Sequence, residues 1–310
     1  MNRTVTGISP GHYLSRRSAI SQIAGTAAAA ALAASQFGAF PLAARGASQS
    51  DSTPVATPEE GTNMTEATPG AGGAALTVVL VHGAFADASS WKGVIELLNA
   101  AGIANTAPPN PLRGLSIDVP YIASYLNQVP GPVLLVGHSY GGAVITNAGS
   151  MAKNVVGLVY VGGFAPDEGE TLLEVEQNSR DSVLLTALKP LQYPTGNGTE
   201  TATEFAILPD KVAEAFASDL SPSQQALIAS TQRPIAEIAF AEPTTNPAWK
   251  SLPTWSVVPT GDKAVGADAV RFMAERAGAT IVEIDASHVV MISQPQAVTD
   301  VIMTAYNAVS

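Results

Sequence analysis

The feature that most constrains this chain is a strand, a sharp turn and a helix around Ser139. Residues 133–136 are apolar, residues 137–141 read Gly-His-Ser-Tyr-Gly, and residues 143–148 continue at helical spacing. A serine held at a strained corner between strand and helix leaves no room for side chains two residues before or after it, which explains both glycines. Free N–H groups at the start of the helix stabilise a developing oxyanion. The pattern predicts a nucleophilic serine, against the alternative of a glycine-rich turn that holds an inert one.

Charge and composition exclude several other functions. The chain carries 26 acidic and 15 basic residues, a net charge of −11, so no basic surface is expected to neutralise the phosphates of a nucleic acid. It contains no cysteine, which excludes disulfides, thiolate catalysis and cysteine-ligated zinc. We therefore predict no nucleic-acid partner, whereas the charge says little about the substrate.

The first 75 residues differ from the rest of the chain. Residues 1–44 contain arginines but no acidic residue, and an uncharged alanine-rich run follows Ser15-Arg16-Arg17-Ser18. This resembles a twin-arginine export signal and predicts a secreted or periplasmic protein, without stable membrane insertion once the leader is cleaved. The general secretory route and an uncleaved membrane anchor are the alternatives. Residues 45–75 are dominated by small and polar residues and are predicted to be a disordered linker.

From residue 76 to residue 310, apolar strands alternate with amphipathic helices. This order predicts an α/β fold with a mostly parallel central sheet flanked by helices, and catalytic residues at the C-terminal ends of the strands. Between residues 165 and 252 the strand pattern stops, and short amphipathic pieces predict a helical lid inserted after the strand that follows Ser139. Five apolar residues of this segment are expected either to line a pocket or to pack the lid on the core: Phe205, Phe216, Ile235, Phe240 and Trp249.

A serine nucleophile needs a base, and only four histidines are available. His12 lies in the leader, and His82 is expected to brace the loop after the first strand. His138 adjoins Ser139, and its side chain is expected to point away from the position that the serine faces. His288 follows the last predicted strand at the catalytic edge, so elimination makes it the predicted base.

The base needs an orienting carboxylate, which should follow a strand between nucleophile and base. Asp262 follows the penultimate core strand and is the predicted acid. Asp167, which follows the strand after Ser139, is the competing choice. Asp268 lies within a helix and Asp285 is close to His288 along the chain, so both are less favoured.

Backbone and apolar groups beside these residues complete the predicted site. The small-residue turn after the first strand brings a backbone N–H beside Ser139, and Ala84 is the predicted oxyanion donor, with Phe85 as the alternative. Phe85, Phe164 and Val289 adjoin the turn, a strand end and the predicted base, and we predict that they contact the substrate.

These motifs resemble the α/β-hydrolase superfamily across residues 76–310. Val78–Trp91, together with Gly-His-Ser-Tyr-Gly, is similar to the branch that contains plant methyl-ester esterases, hydroxynitrile lyases and small bacterial carboxylesterases, some of which act on pyrethroids. The resemblance implies a site without cofactor or metal. It implies Ser139, Asp262 and His288 as nucleophile, acid and base, with the backbone N–H groups of Ala84 and Tyr140 as oxyanion donors.

We therefore expect a serine hydrolase that cleaves small, largely apolar carboxylic esters. Three alternatives stay open. The lyases of this branch use a lysine near the acid, and Lys263 directly follows Asp262. A perhydrolase would use the same triad, and a ligand-binding protein could share the scaffold without turnover. Neither the particular ester nor the oligomeric state follows from the sequence.

Overall fold

The computed structural model describes residues 74–310. The predicted export signal, residues 1–44, and all but the end of the predicted linker, residues 45–75, lie outside the described residues. Within the described part of the chain, no helix is both long enough and apolar enough to cross a membrane.

Six parallel strands form the central sheet, as the sequence predicts. The strands of residues 74–310 are β1 (Thr77–Val81), β2 (Asn105–Thr106), β3 (Val133–His138), β4 (Val155–Val161), β5 (Leu188–Pro194), β6 (Thr201–Ile207), β7 (Ile235–Ala236), β8 (Thr254–Pro259) and β9 (Thr280–Ile284). The central sheet has the order β2-β1-β3-β4-β8-β9. Every residue of β3 is buried, because helices cover the sheet and the strand has no solvent-facing side.

The helices account for the alternating pattern of the sequence. They are α1 (Lys92–Ala100), α2 (Leu115–Leu126), α3 (Tyr140–Ala148), α4 (Leu172–Asn178), α5 (Leu184–Ala187), α6 (Val212–Ala215), α7 (Pro222–Thr231), α8 (Ile238–Ala241), α9 (Ala267–Arg276), α10 (Val290–Ser293) and α11 (Pro295–Val309). Helix α1 packs with α11, and α2 packs with α3. These helices flank the sheet and supply the other side of its core.

The segment between β4 and β8 corrects one prediction. It is inserted where the sequence predicts a lid, but it is not wholly helical, because β5, β6 and β7 form a three-stranded antiparallel sheet beside the short helices α4–α8. Strand β5 lies at the edge of this sheet and contains Pro190 and Pro194, which an edge position tolerates. Both β5 and β6 are only partly buried and lack the continuous apolar run of a central parallel strand. We call residues 165–252 the insert.

Parallel strands bring four loops to one edge of the central sheet. His82 follows β1, Ser139 follows β3, Asp262 lies three residues after β8, and His288 lies four residues after β9. Since the strands run in the same direction, their C-terminal ends lie side by side. Residues more than 200 positions apart therefore meet at this edge.

Candidate active site

Ser139 occupies a strained corner between β3 and α3. Its backbone has φ 52° and ψ −125°, a positive φ that non-glycine residues rarely adopt. A Cβ atom at Gly137 would lie 2.6 Å from the carbonyl oxygen of Gly141, and one at Gly141 would collide with the carbonyl oxygen of Val81. The two glycines are thus required by close packing of backbone on backbone. The structure confirms the predicted sequence of strand, turn and helix around the serine.

The loop after β1 lies directly against this corner. A Cβ atom at Gly83 would lie 2.6 Å from the Cβ atom of Ser139. The N–H of Phe85 donates to the carbonyl oxygen of Arg233 at 3.0 Å, whereas the N–H of Ala84 has no acceptor among the described residues. The N–H of Tyr140, at the first position of α3, has no intrahelical partner either. Two unengaged N–H groups thus flank the serine.

His82 holds this loop in place. Its Nε2 accepts a hydrogen bond from the backbone N–H of Asn110 at 2.9 Å, and the Asn110 side chain donates to the His82 carbonyl oxygen at 3.0 Å. Burial lowers the pKa of His82, which keeps the imidazole neutral and able to accept that bond. This is the bracing role that the sequence analysis expected.

Asp262 and His288 form a buried pair. His288 Nδ1 lies 2.7 Å from Asp262 Oδ2, and each residue is 1% exposed. The other carboxylate oxygen, Oδ1, accepts the backbone N–H groups of Ala264 at 2.8 Å and Val265 at 3.1 Å. The loop after β8 therefore fixes the carboxylate, and the carboxylate fixes the orientation of the imidazole.

The competing carboxylates lie elsewhere. Asp167 pairs with Lys250 at 2.6 Å near the surface. Asp268 accepts hydrogen bonds from Ser179 and Arg180, and Asp285 is exposed. Among these four candidates, only Asp262 is placed beside His288.

The second ring nitrogen of His288 is left free. His288 Nε2 is buried and has no hydrogen-bond partner among residues 74–310, and the hydroxyl of Ser139 is not bonded to it. Ser139 itself is 7% exposed. Its chain neighbour His138 contacts His288, with ring centroids 4.7 Å apart, so the segments that carry Ser139 and His288 lie next to each other. Catalytic hydrogen bonds are often long in the absence of substrate and tighten when it binds.

His138 has a contact that the sequence analysis did not predict. Its Nε2 lies 3.0 Å from the carbonyl oxygen of His288, and since a carbonyl only accepts, Nε2 carries the proton. Burial lowers the pKa of His138 well below its ordinary value, and the neighbouring His288 adds to the effect. His138 is therefore a neutral brace for the backbone of His288. Its position next to Ser139 in the sequence carried no signal of this role.

A short segment of the insert contacts His288 and its loop. The ring of Phe216 lies 5.0 Å from that of His288 and meets Phe85 edge to face at 6.0 Å. Three residues later, Asp219 accepts the backbone N–H of Ser287 at 3.0 Å and the hydroxyl of the same serine. Burial alone would raise the pKa of Asp219, but the hydrogen bonds from Ser287 lower it below its ordinary value. An ionised carboxylate of the insert thus holds the loop that carries His288.

The other apolar residues proposed for the lid pack away from His288. Phe205 and Phe240 meet edge to face at 6.2 Å, and Ile235 pairs with Phe205 in the antiparallel sheet. Trp249 donates its indole N–H to the carbonyl oxygen of Pro166 at 3.0 Å. The expectation of ordinary packing holds for these four residues.

A cavity of about 440 Å³ lies beside the site, between the start of α1 and α7. Phe85, Phe216 and Val289 line it, and these three residues also adjoin Ala84 or His288. Neither Ser139 nor His288 lines it. Phe164, the third predicted substrate contact, does not line the cavity, and its backbone N–H instead donates to the carbonyl oxygen of Ser139 at 3.1 Å. Lys263, on which a lyase reaction would depend, is exposed.

Comparison with known proteins assigns the chain to a family. A model of the alpha/beta hydrolase family matches residues 78–301, which is well over half of the chain. The chain therefore belongs to the α/β hydrolase family.

Two curated relatives match by sequence. The carbendazim-hydrolyzing esterase of Nocardioides sp. (strain SG-4G) is 33% identical over 108 residues, which span 31% of this chain and 45% of that protein. Salicylic acid-binding protein 2 of Nicotiana tabacum is 27% identical over 239 residues, which span 70% of this chain and 92% of that protein. The match to the esterase thus covers less than half of its length.

Solved structures share the fold over nearly their whole length. Polyneuridine aldehyde esterase superposes with a TM-score of 0.63 at 21% identity, covering 74% of this chain and 99% of that one. A pyrethroid hydrolase from Sphingobium faniae JZ-2 gives a TM-score of 0.62 at 19% identity, covering 76% and 98%. At such identities the likeness is one of fold. The family match confirms the resemblance to the α/β-hydrolase superfamily that the sequence analysis identified.

Proposed function

We propose that this protein is a serine hydrolase that cleaves small, largely apolar carboxylic esters through an acyl-enzyme on Ser139. The observation that carries the proposal is the buried pair of Asp262 and His288, whose Nε2 has no partner among the described residues and whose ring contacts His138, the residue before Ser139. An imidazole oriented by a carboxylate on one side and unbonded on the other is arranged to accept a proton. Relatives named as esterases support the same reaction.

Ester cleavage proceeds in two halves at this site. Ser139 Oγ attacks the carbonyl carbon while His288 Nε2 takes the hydroxyl proton, and Asp262 stabilises the imidazolium. The same proton then passes to the leaving alcohol as the tetrahedral intermediate collapses to the acyl-enzyme. Water repeats these steps in place of the serine and releases the acid. The N–H groups of Ala84 and Tyr140 stabilise the negative oxygen of each intermediate.

The cavity next to the site supports the preference for apolar esters. Its lining is predominantly apolar and comes from the first loop, the insert and the segment after His288: Phe85, Phe216, Leu220, Leu227, Ile228, Val289 and Ile292. An apolar arm of the substrate that enters this cavity loses contact with water, which favours binding by roughly 25 cal/mol per Å² of buried apolar surface. The pair of Phe85 and Phe216 forms the border between the cavity and the site.

A fluorophosphonate probe tests the proposed function directly. We expect a single adduct on Ser139 in the folded protein, found by intact mass and peptide mapping, because His288 activates this serine in the proposed mechanism. The adduct should be absent after unfolding in urea and in the variant Ser139→Ala. An unlabelled folded protein would support the alternative of a ligand-binding protein on a hydrolase scaffold. Labelling of Ser287, whose hydroxyl is held by Asp219, would contradict the choice of nucleophile.

Acyl chain length tests the role of the cavity. Leu227 lines it and is 62% exposed, so Leu227→Asp places a charge in the apolar lining without disturbing the core. We expect the ratio of kcat/KM for p-nitrophenyl octanoate over p-nitrophenyl acetate to fall by about tenfold, the effect of an altered apolar contact in a substrate pocket. Met151→Asp is the matched control, since Met151 is 55% exposed and does not line this cavity. Equal ratios in the two variants would place the acyl chain elsewhere.

A further inference from the structure

Glu176 is a buried acid outside the proposed triad. It lies in α4 of the insert and is 4% exposed. Its Oε1 has no hydrogen-bond partner within the described part of the chain, and its Oε2 lies 2.5 Å from the hydroxyl oxygen of Ser182. A carboxylate in such surroundings is costly unless it is paired with a charge or carries a proton.

The contacts of Ser182 Oγ decide which form is present. The backbone N–H of Leu184 donates to this oxygen at 3.2 Å, and the carbonyl oxygen of Ala264 lies 2.6 Å away. A hydroxyl has one proton to donate and accepts two hydrogen bonds. The carbonyl can only accept, so it takes the hydroxyl proton, and the short contact to Glu176 then requires a proton on the carboxyl. A neutral Glu176 satisfies all three contacts, whereas an ionised one leaves two acceptors for one proton.

The peptide group between Ala264 and Val265 continues the chain of hydrogen bonds. Its carbonyl oxygen accepts from Ser182, and its N–H, that of Val265, donates to Asp262 Oδ1 at 3.1 Å. Asp262 Oδ2 in turn lies 2.7 Å from His288 Nδ1. Every donor in this chain points towards Asp262, and hydrogen bonds aligned in this way polarise one another.

We propose that Glu176 is protonated in the folded protein and acts as a positioning residue, whose proton orders a relay through Ser182 and the Ala264 peptide to the carboxylate that orients His288. The catalytic part of this inference depends on the proposed function. The relay links the insert to the loop after β8, so a residue of the insert supports the geometry of the acid in the central sheet.

The charges around Glu176 agree with the neutral form. Burial raises the pKa of Glu176 well above its ordinary value of 4.5, and the negative charge of Asp262 adds to the rise. The neighbouring charges Arg180 and Asp268 pair with each other at 3.4 Å, and Glu174 on the same helix is exposed. No cation among these groups is paired with Glu176.

Two substitutions separate the neutral acid from a buried charge. Glu176→Gln keeps a donor for Ser182, so we expect kcat/KM within about twofold of wild type and an unmoved acid limb of the pH profile, because the hydrogen bond is retained. An ionised Glu176 predicts the opposite result: removing its charge would move the acid limb to lower pH, because the imidazolium would lose a stabilising neighbour. Glu200→Gln, an exposed position in the insert, is the control for charge alone.

Glu176→Leu removes the donor at similar volume. We expect kcat to fall about fivefold with KM unchanged, the effect of weakening one hydrogen bond in the relay. Ser182→Ala should give a fall of similar size, which keeps the test decisive if the leucine variant folds poorly. Wild-type kcat in both variants would overturn the relay.

The pH dependence of the melting temperature tests whether Glu176 is protonated, and this measurement does not require catalytic activity. An acid whose pKa is raised in the folded state lowers stability as pH rises from its unfolded value towards its folded value. The melting temperature of Glu176→Gln should therefore exceed that of wild type by a margin that grows as pH rises above about 4.5, and the margin should be constant below that pH. A margin independent of pH would overturn the assignment. This result stands even if no ester is cleaved, so its failure and that of the proposed function are distinguishable.

Discussion

Replacing Ser139 with alanine is expected to lower kcat for a short p-nitrophenyl ester by on the order of a million-fold, the loss found when a triad nucleophile is removed. The side chain proposed to form the acyl-enzyme is gone, and only the proposed oxyanion donors, the N–H groups of Ala84 and Tyr140, and the binding surface remain to assist water. The melting temperature should change little, because the backbone at this corner is held by contacts of Gly83, Gly137 and Gly141 that the substitution leaves in place.

A buried serine outside the site is the control for that result. Ser256 lies in β8 and is 1% exposed, so Ser256→Ala removes an equally buried hydroxyl from the same sheet. Its kcat should stay close to that of wild type. The nucleophile would be misassigned if the Ser139 variant kept substantial turnover and substitution of another serine abolished both the fluorophosphonate adduct and the activity.

Replacing Asp262 with asparagine is expected to lower kcat by about 10⁴-fold with little change in KM. The reason lies in the way its two oxygens are held. Oδ1 accepts N–H donors from Ala264 and Val265, so the carbonyl oxygen of an asparagine takes that side and its NH₂ group faces His288 Nδ1. Nδ1 must then accept, the ring proton moves to Nε2, and Nε2 no longer accepts the proton of Ser139.

The competing acid supplies the control for this substitution. Asp167→Asn removes a charge that pairs with Lys250 at the surface, where a single ion pair contributes little to stability. We expect its kcat to equal that of wild type. A large loss in the Asp167 variant combined with an active Asp262 variant would reverse the assignment of the acid.

The sequence predicted the central sheet well because of the way that sheet is buried. Strands β3 and β4 are covered on both faces, so they consist almost entirely of apolar residues, and such runs are visible without knowledge of the fold. Parallel order then places Asp262 and His288 at one edge, which is why elimination among four histidines leads to a residue that contacts a buried carboxylate.

The strands of the insert escaped prediction for the opposite reason. Strand β5 mixes exposed and half-buried residues without strict alternation and contains two prolines, so its pattern resembles a loop. It pairs with β6 in an antiparallel hairpin joined by residues 195–200, and neither strand carries the apolar run of a central parallel strand. The inserted segment was therefore predicted at the right place in the chain and with the wrong internal structure.

Several residues around the site depend on contacts that no local pattern encodes. Asp219 reaches Ser287 across 68 positions, and Ser182 reaches Ala264 across 82. Both are ordinary polar residues in a segment of mixed composition. Their roles follow only from the fold, whereas Ser139 was predictable because a steric requirement placed glycines on both sides of it.

The contact between Asp219 and Ser287 has a consequence for exchanging parts between relatives. Phe216 and Asp219 belong to the insert, yet one touches the ring of His288 and the other binds the backbone beside it. A chimaera that receives the insert of another hydrolase would need a carboxylate in the position of Asp219, or the N–H of Ser287 would be left without an acceptor in a buried loop. Exchanging the insert would therefore change two things at once, the lining of the proposed substrate cavity and the contacts that hold the loop of His288.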